Sequence, residues 1–142
     1  MMNTRRGLPI LIFAAALLAG ACSSKPAVSG LQESFADQLK SNRAVTDFMR
    51  AGDDLTFSGP TVDDAGTAKW RVHFDSAAIE ETGDERAPYK GTVKSSWYQN
   101  GESITPSASG RDSNLPVKLT SNGLAQECWA LWDPKTKKWG WD

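Results

Sequence analysis

One change of period governs what this chain can fold into. Up to Gly52 the apolar residues recur at helical spacing, and beyond it they alternate one in two. Leu31, Phe35, Leu39, Val45, Phe48 and Met49 gather on one side of a helix, with Glu33, Asp37, Lys40, Arg43 and Arg50 on the other. Ser29 followed by Gln32 reads as a capping box and Gly52 as a stop, so the spacing predicts a helix over 30–51.

The second half reads as strands and turns. Leu55 and Phe57 open a short strand, and Trp70, Val72 and Phe74 alternate with Arg71, His73 and Asp75. Tyr89, Val93 and Trp97 then share a face, with Lys90, Thr92 and Lys94 opposite, and Asn100-Gly101 turns the chain. Ile104 to Asn114 is rich in Ser, Pro and Gly and reads as a long loop. Leu115, Val117 and Leu119 mark another strand, Asn122-Gly123 a hairpin turn, and Leu124 to Trp132 the returning strand. That return is apolar on both sides and is expected to be a central strand covered twice. Asp133 to Thr136 makes a further turn, and Trp139 and Trp141 share a face of a terminal strand.

A helical stripe and a set of half-apolar strands must cover one another to leave water. The expected fold is therefore α+β: an N-terminal amphipathic helix packed on a curved antiparallel meander, laid out like cystatin-like and NTF2-like folds by analogy. A small β-barrel-like domain with a helix is the alternative. The domain is expected to run over 30–142 as one unit.

Ahead of it lies a different kind of segment. Arg5 and Arg6 precede an apolar run of 14 residues, Leu8 to Ala21, which is shorter than the ~20 a bilayer-spanning helix needs. The run ends in Leu18-Ala19-Gly20-Ala21-Cys22, which resembles the lipobox of bacterial lipoprotein precursors. The resemblance covers residues 1–22 only. It implies a signal peptide over 1–21, cleavage before Cys22, lipid on that thiol, and a small, polar tether over 22–29. The membrane would then be a partner, through the lipid. Ser23 after the cysteine implies the outer membrane, facing the periplasm, in a Gram-negative host. An ordinary secretory leader cut after Ala21, with Cys22 incidental, stays open.

Loss of the leader takes Arg5 and Arg6 from the 16 basic residues, leaving 14 against 17 acidic ones and a formal charge of −3. That balance carries no basic footprint for nucleic acid. With Cys22 committed to lipid, Cys128 is the single cysteine left, which excludes a disulfide framework.

Catalytic constellations are thin. The one histidine, His73, alternates with Arg71 and Asp75 on the polar side of its strand, and Cys128 sits within Glu127-Cys128-Trp129-Ala130, a setting for a buried thiol. No nucleophile elbow or phosphate loop is present. The paired acids Asp53-Asp54, Asp63-Asp64, Glu80-Glu81 and Asp84-Glu85 fall at turns, without calcium-loop spacing. No metal, cofactor or catalytic residue is assigned.

Tryptophan is the unusual component: six in the chain, four of them from Trp129 to Trp141. An indole suits a core, or a surface that must be apolar and hydrogen-bonding at once. The expected function is a lipid-anchored, non-catalytic binding or accessory module of the cell envelope. It would present Trp97, Trp139 and Trp141 to a protein or glycan. A small envelope enzyme using His73 or paired carboxylates, and a structural component of an envelope assembly, are the alternatives.

Overall fold

The structure is a computed structural model and describes residues 24–63, 65–104 and 127–141. Its element order is α1 (Val28–Lys40), β1 (Thr46–Ala51), β2 (Asp54–Pro60), β3 (Thr67–Glu81), β4 (Tyr89–Gln99), β5 (Glu102–Ile104), β6 (Glu127–Asp133) and β7 (Lys138–Gly140). All strand pairs are antiparallel, in the order β1-β2-β3-β4-β6-β7, with β5 on β4. One helix thus sits on a curled antiparallel sheet, a half-barrel, as the mixed α and β reading required. The expected Leu115–Leu119 strand and the Asn122-Gly123 turn lie outside the described residues.

The helix is shorter than its period suggested. It ends at Lys40, and Thr46–Ala51, expected to continue it, is the edge strand β1. The reason is visible in the spacing: after Leu39 the next helical face positions are Asn42, Arg43 and Thr46, all polar, so the apolar stripe has run out. Asn42 closes the turn instead, its side-chain oxygen accepting the Ala44 N–H at 2.9 Å. The start also differs. The N-cap is Ala27, without a side-chain cap, and Ser29 lies inside the first turn, so the expected capping box does not form.

Leu31, Phe35, Ala36 and Leu39 are the buried face of α1. They join, on the concave side of the sheet, the core cluster that holds Leu55, Phe57, Trp70, Val72, Phe74, Val93 and Trp97. Each fully buried large apolar side chain there contributes about 1.5–3 kcal/mol before conformational entropy is set against it. Close approach needs Gly91 on β4: a Cβ there would stand 2.6 and 2.7 Å from the two Leu31 methyls and 3.1 Å from the Trp139 ring.

Register explains the curl. β3 and β4 pair along most of their lengths, with an irregularity between Phe74 and Ser76. The extra residue, Asp75, reverses the alternation, so that Phe74 faces in before it and Ala77 and Ile79 after it. The Asn100-Gly101 turn is as expected, with φ of 50° and 85°.

Candidate functional site

Two groups of indoles line the concave face. In the first, Trp70 and Trp97 meet edge to face at 6.0 Å, with Phe57 stacked on Trp70 at 6.3 Å. Both are 1% exposed, and both ring N–H groups are satisfied: Trp70 donates to the Pro60 carbonyl at 3.0 Å and Trp97 to Ser95 Oγ at 2.9 Å. Trp97 was expected on a partner surface, and its position corrects that. It belongs to the inward row of β4, where an apolar ring whose N–H has an acceptor is most stable.

The second group stands at the β6–β7 hairpin. Asp133 Oδ1 accepts the Lys135 N–H at 2.8 Å, which tightens the turn and holds the Asp133 carboxyl below its ordinary range. The hairpin then pairs Trp132 with Trp139, their rings edge to face at 5.2 Å. Trp139, also expected on a surface, is buried at 8% exposure, with its ring end over Gly91. Trp141 is half-buried; its N–H donates to Ser34 Oγ at 2.8 Å and its ring meets Phe35 edge-on, so it docks the end of the chain on α1. Trp132, which sequence reasoning did not single out, is half-buried beside Trp139.

Between this hairpin and α1 lies a groove of about 650 Å³, within the size range of small-ligand sites. Trp132 and Trp139 line one side, Glu33, Ser34, Asp37 and Gln38 of α1 the other, and Lys137 and Lys138 come from the turn and the start of β7. The helix residues fall at i, i+3 and i+4 spacing, so they form one continuous stripe. Trp139 Nε1 is buried with no hydrogen-bond partner, a deficit worth about 1–3 kcal/mol. Counting back from the Asp133 turn would have placed Trp132 opposite Trp139. The space in front of them depends on where α1 lies, which no local pattern encodes.

The outer face is organised differently. His73 Nδ1 lies 2.8 Å from Asp54 Oδ1, and Arg71 Nη1 reaches the same oxygen at 3.5 Å while stacking 3.9 Å over the Tyr98 ring. The His73 contact above all holds the Asp54 carboxyl below its ordinary range. Cys128 is fully buried on the concave side, and burial, with Glu127 second, pushes its thiol up to about 12. A His73–Cys128 dyad is therefore impossible, since the two occupy opposite faces of the sheet. Strand β6 is not covered twice as expected: Trp129 and Leu131, 39% and 38% exposed, face outward, with Lys90 Nζ 5.1 Å from the Trp129 ring.

The described members of the acid pairs serve turns and strand surfaces, Asp63 accepting from Thr61 Oγ1 at 2.6 Å and from the Ala65 N–H at 3.2 Å. Among the described residues no group of three or more His, Cys, Asp or Glu is placed to hold a metal ion. Nor is any described helix long and apolar enough to cross a membrane. No protein-family model matches this chain, and no curated protein or solved structure is detectably similar to it.

Proposed function

We propose that the chain is a lipid-anchored protein of the bacterial cell envelope, held through Cys22, whose domain is a non-catalytic binding module for an envelope protein or glycan. The observation that carries the binding reading is the groove between α1 and the β6–β7 hairpin, with two indoles on one wall and Glu33, Ser34, Asp37 and Gln38 of α1 on the other. Glu33, Asp37, Gln38, Lys137 and Lys138 make no side-chain hydrogen bond or ion pair among the described residues. They are available to a ligand at no internal cost. The anchoring reading rests on Leu18 to Cys22 and favours the outer membrane, facing the periplasm. The helix lying on a curled sheet is the one ground for a cystatin-like or NTF2-like layout, and the function does not depend on it.

Anchoring and binding are tested separately. Metabolic labelling with a fatty-acid probe should mark the wild-type chain and fail on Cys22→Ala, which should persist as a longer or soluble species. Equal labelling of both would end the lipoprotein reading. For the groove, Trp132→Ala should keep the fold and lose envelope material retained by the wild type, whereas unchanged retention would move the site elsewhere.

A further inference from the structure

We infer that the pole of the domain at which the chain enters α1 is itself a membrane contact: the lysines of the β6–β7 turn rest on anionic phospholipid headgroups. This rests on the anchoring reading above and adds a second point of attachment to it. Trp141 docks on α1 at Ser34 and Phe35, and Trp139 stands one turn earlier, beside Leu31 over Gly91. Strand β7 therefore runs along α1, and its Lys137-Lys138 end points back to the helix start. Pro26 and Ala27, just ahead of α1, accordingly line the same groove as Lys137 and Lys138.

Two chemistries meet at that pole. Lys25, Lys135, Lys137 and Lys138 are exposed and make no side-chain hydrogen bond or ion pair among the described residues. Asp133, the acid of the turn, has its Oδ1 committed to the Lys135 and Thr136 N–H groups, and Glu33 and Asp37 come only further along α1. A local excess of ammonium groups thus gathers in a chain whose 17 acidic residues outnumber its 16 basic ones. Of the four large apolar side chains left exposed among the described residues, three belong to the same two segments: Val28 at the start of α1, and Trp129 and Leu131 on β6. An indole and aliphatic groups beside lysines suit the headgroup layer, where rings settle at the boundary and ammonium groups reach phosphate.

Covalent length completes the case. From Cys22 to Pro26 even an extended chain spans at most about 14 Å, so lipid on Cys22 holds this pole close to the bilayer. Attraction to an anionic surface extends over about one Debye length, ~8 Å at physiological salt, and extended lysine side chains narrow what gap is left. Lipid together with a basic patch anchors more firmly than either does alone.

The test reads lysine reactivity. Full-length protein is extracted from membranes and reconstituted in nanodiscs of phosphatidylcholine alone, or of equal parts phosphatidylcholine and phosphatidylglycerol. Brief acylation with an amine reagent is then mapped by mass spectrometry. At low salt Lys25, Lys135, Lys137 and Lys138 should react about fivefold more slowly in the anionic discs, the ratio set by the usual attraction of one lysine to such a surface. High salt should remove the difference. Lys40, exposed at the far end of α1 and about 18 Å from its start, should react equally in both discs. Replacing the turn lysines together, Lys135→Gln, Lys137→Gln and Lys138→Gln, changes only exposed positions and should also abolish the protection of Lys25. Equal reactivity in the two discs overturns the contact. So does protection that salt leaves unchanged, or that covers Lys40 to the same degree, since neither describes an electrostatic contact at one pole. Fatty-acid labelling of Cys22 is scored on the same samples. A labelled chain with unprotected lysines overturns this contact and leaves the anchoring in place, whereas protected lysines on an unlabelled chain support the contact and end the lipid anchor.

Discussion

The two tryptophan groups are built from the same side chain on the same concave face, and they differ in how completely they are closed: Trp139 is buried but borders a groove, and Trp132 is half-buried. Trp70 and Trp97 are sealed, each with its N–H paired within the domain. Trp132 and Trp139 border open space, and one of their N–H groups has no acceptor. The difference lies in what covers them. The first pair sits where β2, β3 and β4 run side by side, among the inward Leu55, Phe57, Val72 and Phe74, with Ser95 and the Pro60 carbonyl as acceptors for the two ring N–H groups. The second sits on a short terminal hairpin which α1, lying mainly along β3, β4 and β1, covers only in part. Equal chemistry therefore becomes core at one place and groove wall at the other.

The sharpest way to break this contrast is truncation. Trp97→Ala should cost about 3–5 kcal/mol in a denaturant melt, the scale of a large ring lost from a packed core. Trp132→Ala, at a half-buried position, should cost about 1 kcal/mol. Similar losses at the two sites would mean that the groove residues are ordinary core.

Gly91 marks the border between the regions. Gly91→Ala should cost about 1–3 kcal/mol by overpacking, since the new methyl meets the Leu31 side chain. The cost should shrink in a Leu31→Ala background, and a double-mutant cycle measures that coupling. Additive losses would show that the close approach of α1 to β4 is not what requires the glycine.

Replacing indole by phenyl separates the hydrogen bonds from the packing. Trp97→Phe strands Ser95, which is fully buried, without the N–H it accepts, whereas Trp139→Phe removes a donor that has no partner. Both lose some ring volume, so the expectation is a difference: Trp139→Phe should be milder by about 1 kcal/mol, read from paired melts. The reverse order would mean that Trp139 finds an acceptor in solution.

The smallest effect is expected on the outer face. Asp54 has its carboxyl held below the usual value of 3.8 by the His73 contact, so its contribution to stability is present above that value and is lost as pH falls through the lowered one. The group is exposed, and the pair is correspondingly weak. Asp54→Asn should slightly flatten the acid limb of a stability-against-pH curve and leave the neutral plateau nearly unchanged. A large loss at neutral pH would assign the outer face a structural weight that its exposure argues against.

Much of the frame was legible in the residues. The Trp70-Val72-Phe74 and Tyr89-Val93-Trp97 alternations, the Asn100-Gly101 turn and the Asp133 turn were readable because each depends on neighbours in the chain. The helix boundary was misread because Val45, Phe48 and Met49 are apolar in either structure, and a stripe interrupted by Asn42 and Arg43 still resembles a long one. Burial of Cys128 followed from its neighbours. Coverage of Trp129 did not, because an apolar strand face does not state whether a second layer exists to lie on it.

By itself, then, the chain's order of residues determined one helix, alternating strands, their turns and the pattern of inward positions, all set by the periodicity of backbone geometry. It also carried Leu18 to Cys22, on which the anchoring proposal stands. Tertiary structure alone decided which tryptophans closed and which stayed open. That outcome turns on where α1 comes to rest, and its resting place is fixed by contacts such as Leu31 on Gly91, made between residues 60 positions apart. Periodicity tells a side chain which way to face, and only the packed molecule decides what it meets there.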